Sequence, residues 1–74
     1  MKHLIYVVPV GSDDVSIEIP LRLQAKDLLP IMGWKTENEC IYDYLLTHQQ
    51  IDEIEKLTSQ SFPRNASIYL ACDD

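Results

Sequence analysis

His3-Leu4-Ile5-Tyr6-Val7-Val8-Pro9-Val10 is an almost entirely apolar stretch near the start of this 74-residue chain. Ile5 and Val7 fall on one side of an extended segment, and their neighbours in sequence fall on the other. Apolar residues on both sides are typical of a strand that is covered on both faces or lies in the centre of a sheet. We therefore expect residues 3–10 to form such a strand.

The residues that follow predict a β-hairpin. Gly11-Ser12-Asp13-Asp14 suits a turn, because Gly tolerates positive φ and the Ser and Asp side chains can bond their own backbone. Val15, Ile17 and Ile19 then alternate with polar residues, which is the pattern of a half-buried strand. We expect Pro20 to end this strand.

Two helices are predicted. The first covers residues 23–30 and closes at Gly33 after a turn distorted by Pro30, which cannot donate an interior helical hydrogen bond. Its proposed inward face consists of Leu21, Ala25, Leu28 and Met32. The second covers residues 48–60 and begins with a capping box formed by Thr47 and Gln50. Its proposed inward face consists of Ile51, Ile54 and either Leu57 or Thr58.

The remaining segments complete a single domain over residues 1–74. Residues 34–40 are polar and loop-like, whereas residues 41–46 suit either a short strand or an extended lead-in. Residues 67–72 form a closing strand that can pair with the first strand, and Asp73-Asp74 is an exposed acidic end. This order predicts an α+β fold, in which a hairpin and a C-terminal strand form a three- to four-stranded sheet with two helices on one face.

The charge of the chain restricts its partners. Twelve Asp and Glu residues against six Lys and Arg residues give a formal charge of −6. This excess disfavours direct binding to nucleic acid or to an anionic membrane and favours a basic protein partner. The apolar run at the start is too short for a targeting segment, and no stretch approaches the roughly 20 apolar residues that span a bilayer. We expect a cytoplasmic protein.

No residue pattern predicts catalysis. Cys40 and His48 lie eight positions apart, and nothing in the sequence requires them to meet. Adding His3 and Cys72 gives ligand types that zinc prefers, but without the short paired spacings of zinc sites. Two glycines are too few for a phosphate-binding loop. We predict no enzymatic activity, no metal and no cofactor, and we expect both cysteines to be reduced thiols.

One segment combines acidic and aromatic side chains. Its members are Trp34, Glu37, Glu39, Tyr42, Asp43 and Tyr44. Aromatic residues anchor the centres of interfaces, and surrounding carboxylates steer a cationic partner, so these six are the predicted protein-binding residues. The alternative is that Trp34 and one tyrosine complete the core while the acids only solubilise the surface. If the segment is extended, Tyr42 and Tyr44 share one face and Asp43 takes the other.

A wider resemblance begins at Ile41-Tyr42-Asp43-Tyr44-Leu45-Leu46-Thr47-His48-Gln49-Gln50-Ile51. With the hairpin and the closing Tyr-Leu-x-Cys strand, this stretch resembles small bacterial families, some of which are similar to immunity proteins of polymorphic toxin and contact-dependent inhibition systems. The shared motifs are a cap, a helix and a strand, so no functional residue is carried over from them. The resemblance implies a stoichiometric inhibitor whose acidic surface covers a basic partner such as a toxin nuclease.

Two other functions remain open at this level. One is a phage- or plasmid-encoded inhibitor of a nucleic-acid-binding complex, which would also act through acidic mimicry. The other is an accessory or homo-oligomeric structural domain that pairs through an exposed sheet edge. All three are binding functions, and they differ in the partner.

Overall fold

The computed structural model of the chain describes residues 2–14 and 16–73. Its strands form one antiparallel sheet in the order β2-β1-β4-β3, and the α+β fold predicted from the sequence is confirmed. The elements in chain order are β1 (Lys2–Pro9), β2 (Ile17–Leu21), α1 (Ala25–Met32), a 3₁₀ helix (Glu37–Ile41), β3 (Tyr44–Leu45), α2 (His48–Thr58) and β4 (Ala66–Asp73).

Strand β1 lies in the centre of the sheet, as its apolar pattern predicted. It pairs with β2 on one side and, along its full length, with β4 on the other. Ile5 and Val7 are buried together with Leu28 of α1 and Ile54 of α2, so the helices pack on this face. The opposite face, which we call the open face, carries no helix in the part of the chain that the structure describes.

Strand β2 extends beyond the predicted end. Pro20 lies inside the strand, opposite Leu4, rather than terminating it. An edge strand tolerates proline, because the missing N–H can face away from the neighbouring strand. Val15, which was expected to begin this strand, lies outside the described residues. Between β1 and β2, the backbone N–H of Ser12 donates to the carbonyl of Pro9 at 3.0 Å, and Gly11 supplies the positive φ of 85° that this turn requires.

Helix α1 begins and ends two residues later than the sequence predicts. Pro30 lies inside the helix rather than at its end, and it leaves the carbonyl of Lys26, four residues earlier, without its helical N–H donor. Gly33 closes the helix in the left-handed conformation at φ 71°, as predicted. At the helix end the carbonyl of Leu29 accepts the backbone N–H of Gly33 and also that of Trp34, the latter at 3.1 Å.

The predicted capping box of α2 is confirmed in both directions. The Thr47 hydroxyl accepts the backbone N–H of Gln50 at 3.2 Å, and the Gln50 side-chain oxygen accepts the N–H of Thr47 at 2.9 Å. The helix ends at Thr58, two residues before the predicted end. Thr58 is half-buried while Leu57 is 57% exposed, so Thr58 is the residue that completes the inward face.

Two segments between the helices differ from the predicted loop and lead-in. Residues 37–41 form a 3₁₀ helix, whose short hydrogen-bonding period leaves little apolar periodicity for sequence reading to detect. Of residues 41–46, only Tyr44–Leu45 form a strand, which pairs with β4 at Leu70 and Tyr69.

The closing strand is longer than predicted. Strand β4 continues to Asp73, so this residue is not part of an exposed tail, and Asp74 lies outside the described residues.

The Glu55 side chain on α2 forms hydrogen bonds to the connection between α2 and β4, residues 59–65. One carboxylate oxygen accepts the backbone N–H of Phe62 at 2.7 Å, and the other pairs with Arg64 at 2.6 Å. Arg64 also bonds Asp52 one turn earlier. This arrangement brings Phe62, which is 5% exposed, into the core.

We expect Glu55→Ala to lower the free energy of unfolding by about 2 kcal/mol, since hydrogen bonds to charged groups contribute about 1.5–3 kcal/mol. Urea denaturation followed by circular dichroism measures the change. Glu53→Ala, which removes another half-buried carboxylate from the same helix, is the control. Equal effects of the two substitutions would show that the contacts of Glu55 do not hold the connection.

Candidate functional site

Trp34, the largest residue of the predicted binding segment, belongs to the core. Its side chain is 6% exposed and packs against Tyr44, with ring centroids 5.4 Å apart. The indole Nε1 is buried and has no hydrogen-bond partner with suitable geometry among the described residues. A side chain enclosed in this way is unavailable to a partner protein, so the alternative interpretation, in which Trp34 completes the core, is correct for this residue.

Glu39 uses its carboxylate within the chain. Its Oε2 accepts the backbone N–H groups of Lys35 and Thr36, and the Thr36 side chain reciprocates in a capping box at the start of the 3₁₀ helix. The side chain is half-buried. Because its charge stabilises a helix start, Glu39 is a poor candidate for a direct contact with a partner.

Tyr44 connects the 3₁₀ helix to the sheet. Its hydroxyl donates to the backbone carbonyl of Glu39 at 2.7 Å, and its ring contacts Trp34 on one side. Burial raises the pKa of the Tyr44 hydroxyl, and the nearby negative charge of Glu39 raises it further, while the indole of Trp34 acts in the opposite direction. The hydroxyl therefore stays protonated and keeps its hydrogen bond.

The other three members of the segment are exposed. Glu37 lies on the 3₁₀ helix, and Tyr42, which is 61% exposed, follows it in extended backbone. The ring of Tyr42 makes an edge contact with Tyr44 at 6.5 Å. Asp43 points to the opposite side, towards the open face of the sheet, as the alternation of an extended segment predicted. The structure thus divides the predicted patch between the core and two separate surfaces.

Asp43 lines a recess on the open face that the sequence did not predict. We call it the tyrosine recess, because its floor includes Tyr6 of β1 and Tyr69 of β4, which lie directly opposite each other in the sheet. Its volume is about 300 Å³, and its lining consists of Tyr6, Val8, Ser12, Asp13, Asp43 and Tyr69. Asp13 comes from the turn after β1, so residues from four parts of the chain meet here.

The lining of the tyrosine recess favours a cation. Two exposed carboxylates, Asp13 and Asp43, lie beside two phenol rings, and no Lys or Arg lines the recess among the described residues. Carboxylates attract positive charge directly, and the negative face of an aromatic ring attracts it through the ring quadrupole. One signal in the sequence was available: Tyr6 and Tyr69 both occupy the positions of their strands that alternate with core residues.

A second recess lies near the other end of β2. It has a volume of about 510 Å³ and is lined by Pro20, Arg22, Leu23, Leu57, Thr58 and Gln60. Its one charged side chain is Arg22, so it offers no carboxylate to a basic partner. Although it is larger, it matches the acidic character of the chain less well than the tyrosine recess does.

The groups that might support catalysis or metal binding are dispersed. Cys40 is buried in the core, whereas His48 is exposed at the start of α2. Among residues 2–14 and 16–73, no three His, Cys, Asp or Glu side chains come together as a metal site would require. The same residues include no helix with the length and apolar character needed to cross a membrane.

Comparison with known proteins places the chain in a family. No curated protein and no solved structure matches it. The family model described as "Domain of unknown function (DUF7683)" matches residues 11–71, which span β2, both α-helices, the 3₁₀ helix, β3 and most of β4. Because this match covers well over half of the 74 residues, the chain belongs to the DUF7683 family.

Proposed function

We propose that this domain binds a basic protein partner in a one-to-one complex and neutralises it, as an immunity-type inhibitor acting in the cytoplasm. The observation that carries the proposal is the tyrosine recess, which places two carboxylates on a sheet face where the described residues include no helix. The chain as a whole has a formal charge of −6. A partner such as a toxin nuclease would be inhibited because carboxylates occupy the places that substrate phosphates take in its basic active site.

A large exposed apolar side chain supports a binding surface on the open face. Leu45 is 61% exposed. Leu45 is paired with Tyr69, so it lies beside the tyrosine recess on the open face. Large exposed apolar residues next to carboxylates resemble the composition of an interface, in which aromatic anchors are surrounded by polar groups.

The negative charge of the chain would increase the rate at which a basic partner associates with it. Clefts and faces of one charge sign raise the association rate of an oppositely charged protein by about 10–10³-fold, and this effect falls steeply with salt. Glu37 and Asp43 are exposed carboxylates on either side of Tyr42. Glu39 is excluded from this role because it caps the 3₁₀ helix.

We expect the double variant Glu37→Lys/Asp43→Lys to associate with a basic toxin domain about 10–100-fold more slowly at low ionic strength. The proposal implies that a toxin domain is encoded directly upstream of this chain; that domain is the partner to use, and stopped-flow mixing measures the rate. The same measurement in 1 M salt is the control, because screening over about 3 Å removes long-range steering. Thermal unfolding by circular dichroism verifies that the variant is folded.

Growth rescue tests the inhibitory function itself. Cells that express the upstream toxin domain are expected to grow when this chain is co-expressed, and the two proteins are expected to purify as an equimolar complex. Absence of both rescue and complex would overturn the proposal. Association with a transcription or defence complex among phage genes would instead identify the phage inhibitor, and self-association without a partner would identify the structural domain.

A further inference from the structure

The tyrosine recess has the size and chemistry of a receptor for a single cationic side chain. We propose that it accepts one arginine side chain of the basic partner, with the guanidinium over the tyrosine rings and paired with Asp43 or Asp13. This inference rests on the proposed function and identifies the part of the molecule that the partner would contact. Neither Tyr6, Tyr69 nor Asp13 belonged to the segment that the sequence singled out.

The floor of the recess is formed by the two central strands of the sheet. Tyr6 and Tyr69 are cross-strand neighbours on β1 and β4, the two central strands. Directly opposed residues in an antiparallel pair have Cβ atoms only about 4.5–5.5 Å apart, so both side chains start from neighbouring positions on the open face. The platform is therefore formed by the sheet itself and requires no loop closure when a ligand arrives.

The two carboxylates are supplied by separate segments at the margin of the recess. Asp13 lies in the turn after β1, which is stabilised where the Ser12 hydroxyl accepts the backbone N–H of Asp14 at 3.1 Å. Asp43 directly precedes β3, whose pairing with β4 fixes its position beside Tyr69. Both carboxylates are exposed, so they can approach a cation without first losing a buried partner.

Arginine fits these groups better than other ligands do. Its planar guanidinium can stack on an aromatic ring and bond a carboxylate with two parallel N–H groups, whereas lysine provides only a compact point charge. An apolar side chain could make no charge-assisted hydrogen bond with Asp13 or Asp43. Calcium prefers six to eight oxygen ligands, and two carboxylates beside phenol rings are a poor match for it.

The size of the recess also points to one side chain. Pockets for complete small molecules usually measure about 300–1,000 Å³, and this recess lies at the lower limit with about 300 Å³. It is also open to solvent on the surface of the sheet. An arginine on a protein partner can enter it while the surrounding contacts of the interface provide the remaining affinity.

Titration with N-acetyl-L-argininamide tests the recess directly, without knowledge of the partner. In ¹⁵N-resolved NMR spectra we expect saturable shifts concentrated at Tyr6, Asp13, Asp43 and Tyr69. N-acetyl-L-citrullinamide, which has a similar shape and no charge, is expected to cause none. Uniform shifts at all exposed carboxylates, or equal effects of the two probes, would overturn the proposal.

Asp43→Asn is expected to weaken binding of the arginine probe at least 5-fold, because it removes the charge and retains the shape of the side chain. Glu53→Gln, which removes one carboxylate from α2 outside the recess, is expected to have no effect. Tyr69→Leu is expected to weaken binding while preserving the apolar surface of the strand. An unchanged affinity of the Asp43 variant would exclude the recess as the receptor.

The two proposals fail in different ways. A toxin domain that binds Asp43→Asn as tightly as the unmodified chain overturns the arginine recess and leaves one-to-one inhibition intact. A recess that binds the arginine probe selectively, in a chain that neither rescues growth nor forms a complex, overturns inhibition and leaves the recess established.

Discussion

Trp34→Ala is expected to reduce the free energy of unfolding by about 3–5 kcal/mol, the usual cost of truncating a buried tryptophan or phenylalanine. Trp34 is 6% exposed and packs against Tyr44, and it follows directly on the helix-ending Gly33. A domain of this length has a total stability of roughly 4–11 kcal/mol at about 0.05–0.15 kcal/mol per residue. The expected loss is therefore a large fraction of the total, and the variant is expected to unfold at a clearly lower urea concentration than the unmodified chain.

Urea denaturation monitored by far-ultraviolet circular dichroism measures this loss. Tyr42→Ala is the matched control in the same segment, because Tyr42 is 61% exposed. It is expected to change the stability by no more than about 0.5 kcal/mol, as surface substitutions usually do. If Trp34→Ala remained fully stable but failed to bind the basic partner, the tryptophan would be an interface anchor and its assignment to the core would be wrong.

His3→Leu is expected to stabilise the domain, and more strongly in acid than at neutral pH. His3 lies on β1 between Leu21 and Cys72, is 1% exposed, and its Nδ1 has no hydrogen-bond partner among the described residues. A buried polar group without a partner costs about 1–3 kcal/mol. Leucine has no polar atom to leave unsatisfied, so we expect a gain of about 1 kcal/mol at pH 7.

The acid dependence follows from the direction of the pKa shift. Burial lowers the pKa of His3 below its ordinary value of 6.5. Below pH 6.5 the unfolded chain therefore binds a proton that the folded chain resists, and stability falls as the pH decreases. Each pH unit in this window contributes up to about 1.4 kcal/mol. Well above pH 6.5 the residue is neutral in both states, and the contribution vanishes.

Urea denaturation at pH 7.5, 6 and 5 separates this contribution from the packing change. The stability difference between His3→Leu and the unmodified chain is expected to widen from one pH to the next. His48→Gln, which alters the exposed histidine at the start of α2, is the control. A difference that stayed constant with pH would show that His3 binds its proton equally well in both states.

Much of the fold could be predicted because local patterns agreed with tertiary structure. The apolar residues on both sides of β1 predicted a central strand, and the Thr47–Gln50 box predicted the start of α2. The discrepancies arose where tertiary context outweighed local preference. Pro20 is accommodated because β2 is an edge strand. Of the two residues that the sequence left open for the inward face of α2, tertiary packing selects Thr58, while Leu57 stays exposed.

The candidate site was less predictable. Sequence proximity placed Trp34, Glu39 and Tyr44 in one patch with their neighbours, although all three are used inside the fold. The tyrosine recess depends instead on the register between β1 and β4, which brings Tyr6 opposite Tyr69. Register between strands so distant in sequence is set by the assembled core, and no local pattern reports it.

The pairing of β1 with β4 also governs when the domain can fold during synthesis. These strands are adjacent at the centre of the sheet, yet they come from opposite ends of the described chain. While the ribosome is still adding residues 66–73, β1 has only the short edge strand β2 beside it, and a lone two-stranded hairpin is marginally stable in water. We therefore expect the domain to remain unfolded on the ribosome until residues 66–73 have emerged from the exit tunnel. Closure of this long loop is the step expected to limit its folding rate.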